Sequence, residues 1–280
     1  MIMDKLYSDT CAECSKLITH RYSTSFSLGI RVFASKYRRP IYSIYGFVRF
    51  ADEIVDTFHA FPKEQLLHRF REDTYTAIRE GISLNPVLNA FQEVVNKYHV
   101  EHELIEAFLY SMELDLYHTE FEQDLYEKYI YGSAEVVGLM CLRVFTEGDD
   151  ALYQDLKGHA RSLGAAFQKI NFLRDIKSDF DVRSRVYFPG VDFLRFTEED
   201  KRMIEEDIRK DFDDALIGIR KLPKGCRLGV YLAYVYYTSL FDKIKAAAPE
   251  QVLSMRIRVP DSRKLYYLCS STVKSSLGLI

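Results

Sequence analysis

The 280-residue chain predicts an all-α fold. Three observations carry that expectation. Apolar residues recur at three- and four-residue spacing over long stretches, as in EHELIEAFLYSMELDLYHTEF at 101–121. Alternating strand patterns bounded by turn pairs are missing, apart from the short RVYFP at 185–189. The seven prolines fall mostly where helices should begin or end.

Taken in order, the first helix is expected over 4–20. The second, 36–58, carries Pro40 near its start and stops short of Pro62; 63–81 follows that proline, and 87–97 follows Pro86. Segments 101–118 and 122–146 show the helical spacing most clearly. Helices over 149–180 and 197–220 flank Pro189, 225–247 lies between Pro223 and Pro249, and 260–276 opens at Pro260. No repeat, low-complexity tract or flexible linker divides them, so a single all-helical domain over 1–280 is expected. Some of these helices are apolar on nearly all sides. They carry small residues where neighbours must approach: Gly132, Ser133, Ala134 and Gly138, then Ser162, Gly164, Ala165 and Ala166. Such helices belong in the middle of a bundle.

Composition narrows the function. A net charge of −3 offers no basic field, so no nucleic-acid partner is expected. The aromatics are 20 Tyr and 19 Phe without a Trp. Five scattered cysteines suit reduced thiols. Cys11-x-x-Cys14 resembles half a zinc site but has no second half at ligand spacing. The polar start MIMDKLYSD is unlike a secretory signal, and no run of about 18 apolar residues suggests a membrane span, so a cytoplasmic location is expected.

The most informative feature is a pair of Asp-x-x-x-Asp patterns, Asp52/Asp56 and Asp175/Asp179. Each lies in an apolar helical stretch, IYSIYGFVRFADEIVD and AAFQKINFLRDIKSDFD. Residues four apart share a helix face about 5–6 Å apart, so each pair aims two carboxylates in one direction. Carboxylates among Ile, Phe, Val and Leu are costly to bury unless a cation neutralises them. Mg²⁺ is the natural candidate, because it takes oxygen ligands and shares them with substrate phosphates. Arg49 lies three residues before Asp52, Arg174 directly precedes Asp175, and Asn171 lies one turn earlier. Both pairs are expected near one mouth of an apolar cavity. A third match, Asp207/Asp211, sits in the alternating charges of EEDIRKDFDD and reads as a solvated helix face.

With these residues in view, the sequence resembles the squalene/phytoene synthase family, the head-to-head trans-prenyltransferases, over about residues 15–275. STSFSLG at 23–29 is similar to the family's substrate segment. YSIYGFVRFADEIVD at 42–56 resembles its first aspartate-rich helix, with Tyr45, Arg49, Asp52 and Asp56 in place. MELDL at 112–116 resembles the helix before the central motif. YIYGSAEVVGLM at 129–140 resembles that motif, with Tyr129, Ala134 and Gly138 retained. QKINFLRDIKSDFDVRSRVYFP at 168–189 is the closest match, carrying Gln168, Asn171, Arg174, Asp175, Asp179, Arg185, Tyr187 and Pro189. Two positions depart from the pattern: Ile130 replaces the usual Cys and Glu135 the usual Gly. A carboxylate in that apolar helix must find a partner or stay protonated.

The resemblance implies an isoprenoid-synthase helical bundle that joins two allylic diphosphates head to head through a cyclopropylcarbinyl diphosphate. It implies Asp52, Asp56, Asn171, Asp175 and Asp179 as ligands of Mg²⁺, with Mn²⁺ as a substitute. Arg49, Arg174 and Arg185 would contact phosphate, and Ser23, Ser25 and Phe26 would border the diphosphate and the first isoprene unit. Tyr45 and Tyr129 would face the cationic intermediates through their rings, and Tyr129 would also help shuttle a proton. Phe47 and Phe172 read instead as core packing.

Bacterial phytoene synthases are the nearest branch on these motifs, implying two geranylgeranyl diphosphates as substrates. Farnesyl diphosphate giving squalene, with NADPH, or dehydrosqualene is the alternative, and a non-catalytic helical assembly factor is a distant one. The resemblance also implies peripheral contact with the inner face of a membrane, and contact with upstream or downstream isoprenoid enzymes. The C-terminal anchor of eukaryotic squalene synthases has no counterpart in YYLCSSTVKSSLGLI.

Overall fold

A computed structural model describes residues 2–118, 121–183, 187–192, 195–276 and 280, without the side chains of 2–3, 178–183 and part of 261–276. Among these residues every regular element is helical. The order is α1 (Ile2–Tyr22), α2 (Thr24–Arg31), α3 (Ser35–Asp56), α4 (Lys63–Glu80), α5 (Pro86–Tyr98), α6 (His102–Tyr117), α7 (Gln123–Ile130), a π turn (Tyr131–Glu135) and α8 (Val136–Thr146). Then come α9 (Asp150–Arg183), α10 (Glu198–Lys221), α11 (Lys224–Lys245), α12 (Pro249–Ser254) and α13 (Asp261–Ser276).

Local chemistry sets many of these ends. Asn85 caps α5 by accepting from the Val87 N–H at 3.0 Å, with Pro86 at the first helical position. Thr197 and Asp200 form a reciprocal capping box on α10. Gly81 ends α4 at φ 71°. The sequence did not reveal α2 and α12, of eight and six residues. Both are shorter than the window over which periodicity becomes visible.

Two apolar clusters flank the middle of the bundle. One joins α3, α4, α5, α6 and α8 around Phe47, which is fully buried and stacks on Phe91 with ring centroids 3.9 Å apart. Burying such a ring is worth about 1.5–3 kcal/mol, and Phe47 is core packing, as its sequence context suggests. The other cluster joins α7, α9, α10 and α11 around Tyr129, Phe172, Phe212 and Phe241.

The expected helix over 122–146 is interrupted by the π turn, an insertion that often marks functional sites. Here α6 crosses closely: a Cβ on Gly132 would sit 2.3 Å from the Ala107 carbonyl oxygen. Glu135, the unusual carboxylate of this segment, finds its partner in Arg161 of α9, Nε to Oε2 2.5 Å. The third acidic pair differs from its expectation. Asp207 is exposed, but it and Asp211 clamp the buried ammonium of Lys169, at 2.7 Å for Asp211, and so tie α10 to α9. A lysine buried on α9 requires that pair, which the local alternation of charge did not disclose.

Candidate active site

Between the two clusters lies a cavity of about 880 Å³. One wall is α9, which lines it from Leu156 to Asp175, about 28 Å at 1.5 Å per residue. Along α3 the lining runs from Ile41 to Asp56, and along α8 from Val137 to Phe145. The pole near Phe33, Leu142, Phe145 and Leu222 is apolar; the pole near Asp52, Asp56, Asp175, Arg49, Arg174 and Arg256 is charged.

The acidic pole is expensive to build. Asp56 ends α3 and Asp52 stands one turn before it, near the pole of the helix dipole that opposes negative charge, and the last turn holds no basic residue. Burial pushes the Asp52 carboxyl up to about 7, and the nearby Asp56 and Asp115 add to the shift against the opposing pull of Arg49. Arg49 lies 3.7 Å from Asp52, is paired with Glu53, and carries the Tyr22 ring 4.4 Å from its guanidinium carbon. Across the pole Asp175 is held by two guanidinium groups, Arg174 (Nε 3.0 Å) and Arg256 (Nε 2.8 Å). Burial disfavours the Arg174 charge, yet pairing with Asp175 raises its pKa on balance.

Aromatic side chains line the space just inside. Tyr45 lies 5.8 Å from Phe26, centroid to centroid, and burial pushes its phenol up to about 12, so it stays neutral. Tyr129 donates to Asp115 Oδ2 at 2.8 Å, and Phe172 stacks on Tyr187 at 4.0 Å. Tyr237 donates to Asn171 Oδ1 at 3.3 Å. Such rings offer negative faces to a cation and no strong nucleophile.

Of the residues singled out from sequence, Ser23, Phe26, Tyr45, Arg49, Asp52 and Asp56 line this one cavity. So do Tyr129, Asn171, Arg174 and Asp175. Ser25 does not line it; it lines a small adjoining cleft with Phe26, Leu232, Tyr236 and Tyr267. With Ser23 as the N-cap of α2, Ser23 and Phe26, three apart, share the face that borders the cavity. Phe172 faces the cavity rather than only the core. Asp179 lies on α9 with its side chain outside the described residues, and Arg185 lies outside them altogether. Arg256, Asp115 and Tyr237 also reach the cavity, though the sequence assigned them no role.

Among the described residues no three acidic, His or Cys side chains converge closely enough to cage a metal by themselves. Asp52, Asp56 and Asp175 nevertheless suit Mg²⁺, which binds through one or two carboxylates plus phosphate oxygens. A carboxyl raised to about 7 by burial also gains from a nearby cation.

A helical bundle around a long apolar cavity, with carboxylates and guanidinium groups at one pole, defines a class of protein suited to an apolar chain with a polyanionic head. A family model for squalene/phytoene synthase matches residues 19–263. The chain belongs to the squalene/phytoene synthase family. It is 27% identical to the 15-cis-phytoene synthase of Synechocystis sp., over 91% of this chain and 82% of that protein. It is 28% identical to a phytoene synthase of Rhodobacter capsulatus, over 94% and 81%. Its fold is similar to that of a dehydrosqualene synthase solved with a ligand, with a TM-score of 0.83 at 19% identity over 96% of this chain and 98% of that one. It is similar also to the squalene synthase HpnC of Alicyclobacillus acidocaldarius, with a TM-score of 0.74 at 19% identity over 86% and 95%.

Proposed function

We propose that the protein is a Mg²⁺-dependent phytoene synthase, condensing two geranylgeranyl diphosphates head to head. The observation that supports this most is the charged pole itself: carboxylates from α3 and α9 with three arginines, opening onto one aromatic-walled cavity. Its relatives include bacterial and plant phytoene synthases.

In the first step the C1–O bond of one substrate breaks and its electron pair leaves with the diphosphate. Arg49, Arg174 and Arg256, which line the charged pole, would take up that charge as forked donors. Mg²⁺, held by Asp52, Asp56, Asp175 and Asn171, with Asp179 as a further ligand, would supply Lewis-acid neutralisation of the leaving group. The double bond of the second substrate attacks the allylic cation, and proton loss closes the cyclopropane. Tyr45, Tyr129 and Phe172 line the cavity and would turn their rings to the cation, while the apolar walls would keep water from it. A second ionisation opens the ring to the linear product, and a final proton loss ends the reaction.

The test is a product assay on purified protein with Mg²⁺, offering geranylgeranyl and farnesyl diphosphates separately, with and without NADPH. An Asp52→Ala/Asp175→Ala double variant is the blank. A C40 hydrocarbon independent of NADPH and lost in the blank supports the proposal. A C30 product moves the chain to the squalene or dehydrosqualene branch, and no product from a folded protein leaves an assembly role.

A C40 hydrocarbon cannot leave into water at useful concentration, so the protein should also contact a membrane peripherally. No helix among the described residues is long and apolar enough to cross one. Flotation with lipid vesicles tests this; protein left wholly in the soluble fraction would rule it out.

A further inference from the structure

The apolar pole of the cavity contains one imidazole. His159 of α9 lines it beside Leu156, Ala160, Ile219 and Leu222. Its Nδ1 lies 2.9 Å from Asp214 Oδ1 on α10, and the other oxygen of that carboxylate accepts from Ser162 at 2.7 Å. The ring is also closed in from α10: a Cβ on Gly218 would fall 2.3 Å from His159 Cβ and 3.1 Å from Cδ2. A hydrogen bond on one edge and contact with glycine on the other leave the imidazole little rotational freedom.

A leucine at this place could change rotamer and let a longer chain pass. A ring held on two sides cannot, so it forms a rigid part of the wall near the apolar end, one turn short of Leu156. The distance to the charged pole is set by α9 itself. His159 stands 12 residues before Asn171 and 16 before Asp175, about 18 and 24 Å along the axis. A prenyl chain with its diphosphate at Asn171 and Asp175 that extends along α9 passes the His159 ring before it reaches Leu156.

We propose that His159, held by Asp214 and seated on Gly218, is a specificity-determining residue that narrows the apolar end of the cavity and so limits the length of prenyl tail it accepts. This rests on the head-to-head prenyltransferase reading and adds to it a chain-length stop outside the charged pole.

The experiment compares His159→Ala, His159→Phe and Asp214→Ala with the wild type; Gly218 is left intact because a Cβ there would disturb the α9–α10 contact. Two readouts are taken. One is kcat/KM for C15, C20 and C25 all-trans prenyl diphosphates. The other is the affinity of the unreactive C15, C20 and C25 thiolodiphosphates by calorimetry. His159→Phe should lower the C20-to-C15 ratio at least tenfold. His159→Ala should raise the C25-to-C20 ratio at least tenfold, and Asp214→Ala should move it the same way by less. Circular dichroism and thermal melts check that each variant is folded. If His159 merely ties α9 to α10, melting temperatures fall and both ratios stay within twofold of wild type, which overturns the inference while the reaction reading stands. Ratios that move in binding without any head-to-head product would retain the stop and overturn the reaction. No binding of any analogue would overturn both.

Discussion

Asp52 combines three unfavourable circumstances: burial, a neighbouring acid on the same face, and the negative end of α3. Its carboxyl, ordinarily near 3.8, rises to about 7 in the folded chain. The folded state thus binds a proton that the unfolded state has lost. The stabilisation this provides is complete below about pH 4 and disappears as pH rises through about 7. Asp52→Asn should therefore raise the melting temperature of the ligand-free protein more at pH 8 than at pH 5, while abolishing turnover. An equal shift at both values would show that Asp52 is ionised throughout. Arg256 gives a second prediction. Its removal as Arg256→Gln takes one charged hydrogen-bond donor from the pole, and such a contact is worth about 1.5–3 kcal/mol. Because Arg256 is half exposed, the lower end applies, roughly a tenfold weakening of Mg²⁺-pyrophosphate binding by calorimetry. At this scale legibility was uneven. Asp52, Asp56 and Asp175 stood out because carboxylates among apolar residues demand an explanation. Arg256 did not, since MRIRVP looks like any basic loop until α12 turns it toward Asp175.

Among the elements, the π turn has the tightest fit. Gly132→Ala would drive a methyl into the Ala107 carbonyl, forcing α6 and the turn apart. Overpacking of this kind typically costs about 1–3 kcal/mol, readable as a lower urea midpoint, and it should displace Tyr129 from Asp115. A midpoint unchanged from wild type would mean that α6 yields freely. Long helices such as α3, α9 and α10 were visible in sequence because their period persists over many turns. The π turn was not, since one extra residue per turn leaves composition untouched. Nor was α2, whose Ser23 and Phe26 could be quoted as a motif but whose Ser25, in the adjoining cleft, could be sorted only by knowing that the segment is helical.

At the scale of the whole molecule, the charged pole holds acids and bases in internal pairs, and among the described residues too few donors converge to cage a metal alone. Mg²⁺ and pyrophosphate added together should raise the melting temperature well beyond the sum of either alone. Stabilisation by a ligand at about 100 times its Kd is about 2.7 kcal/mol. An additive response would show that each binds separately. The cavity itself was foreseeable as a consequence of all-round apolar helices, but its length and the identity of its far end needed the packing of α9 on α10. Helix α9 is one uninterrupted rod of 34 residues carrying both Asp175 and His159. Inserting or deleting a single residue between them would rotate one end against the other by about 100°. Descendants of this chain can thus retune their reach by exchanging side chains, while the spacing within α9 is closed to insertions and deletions.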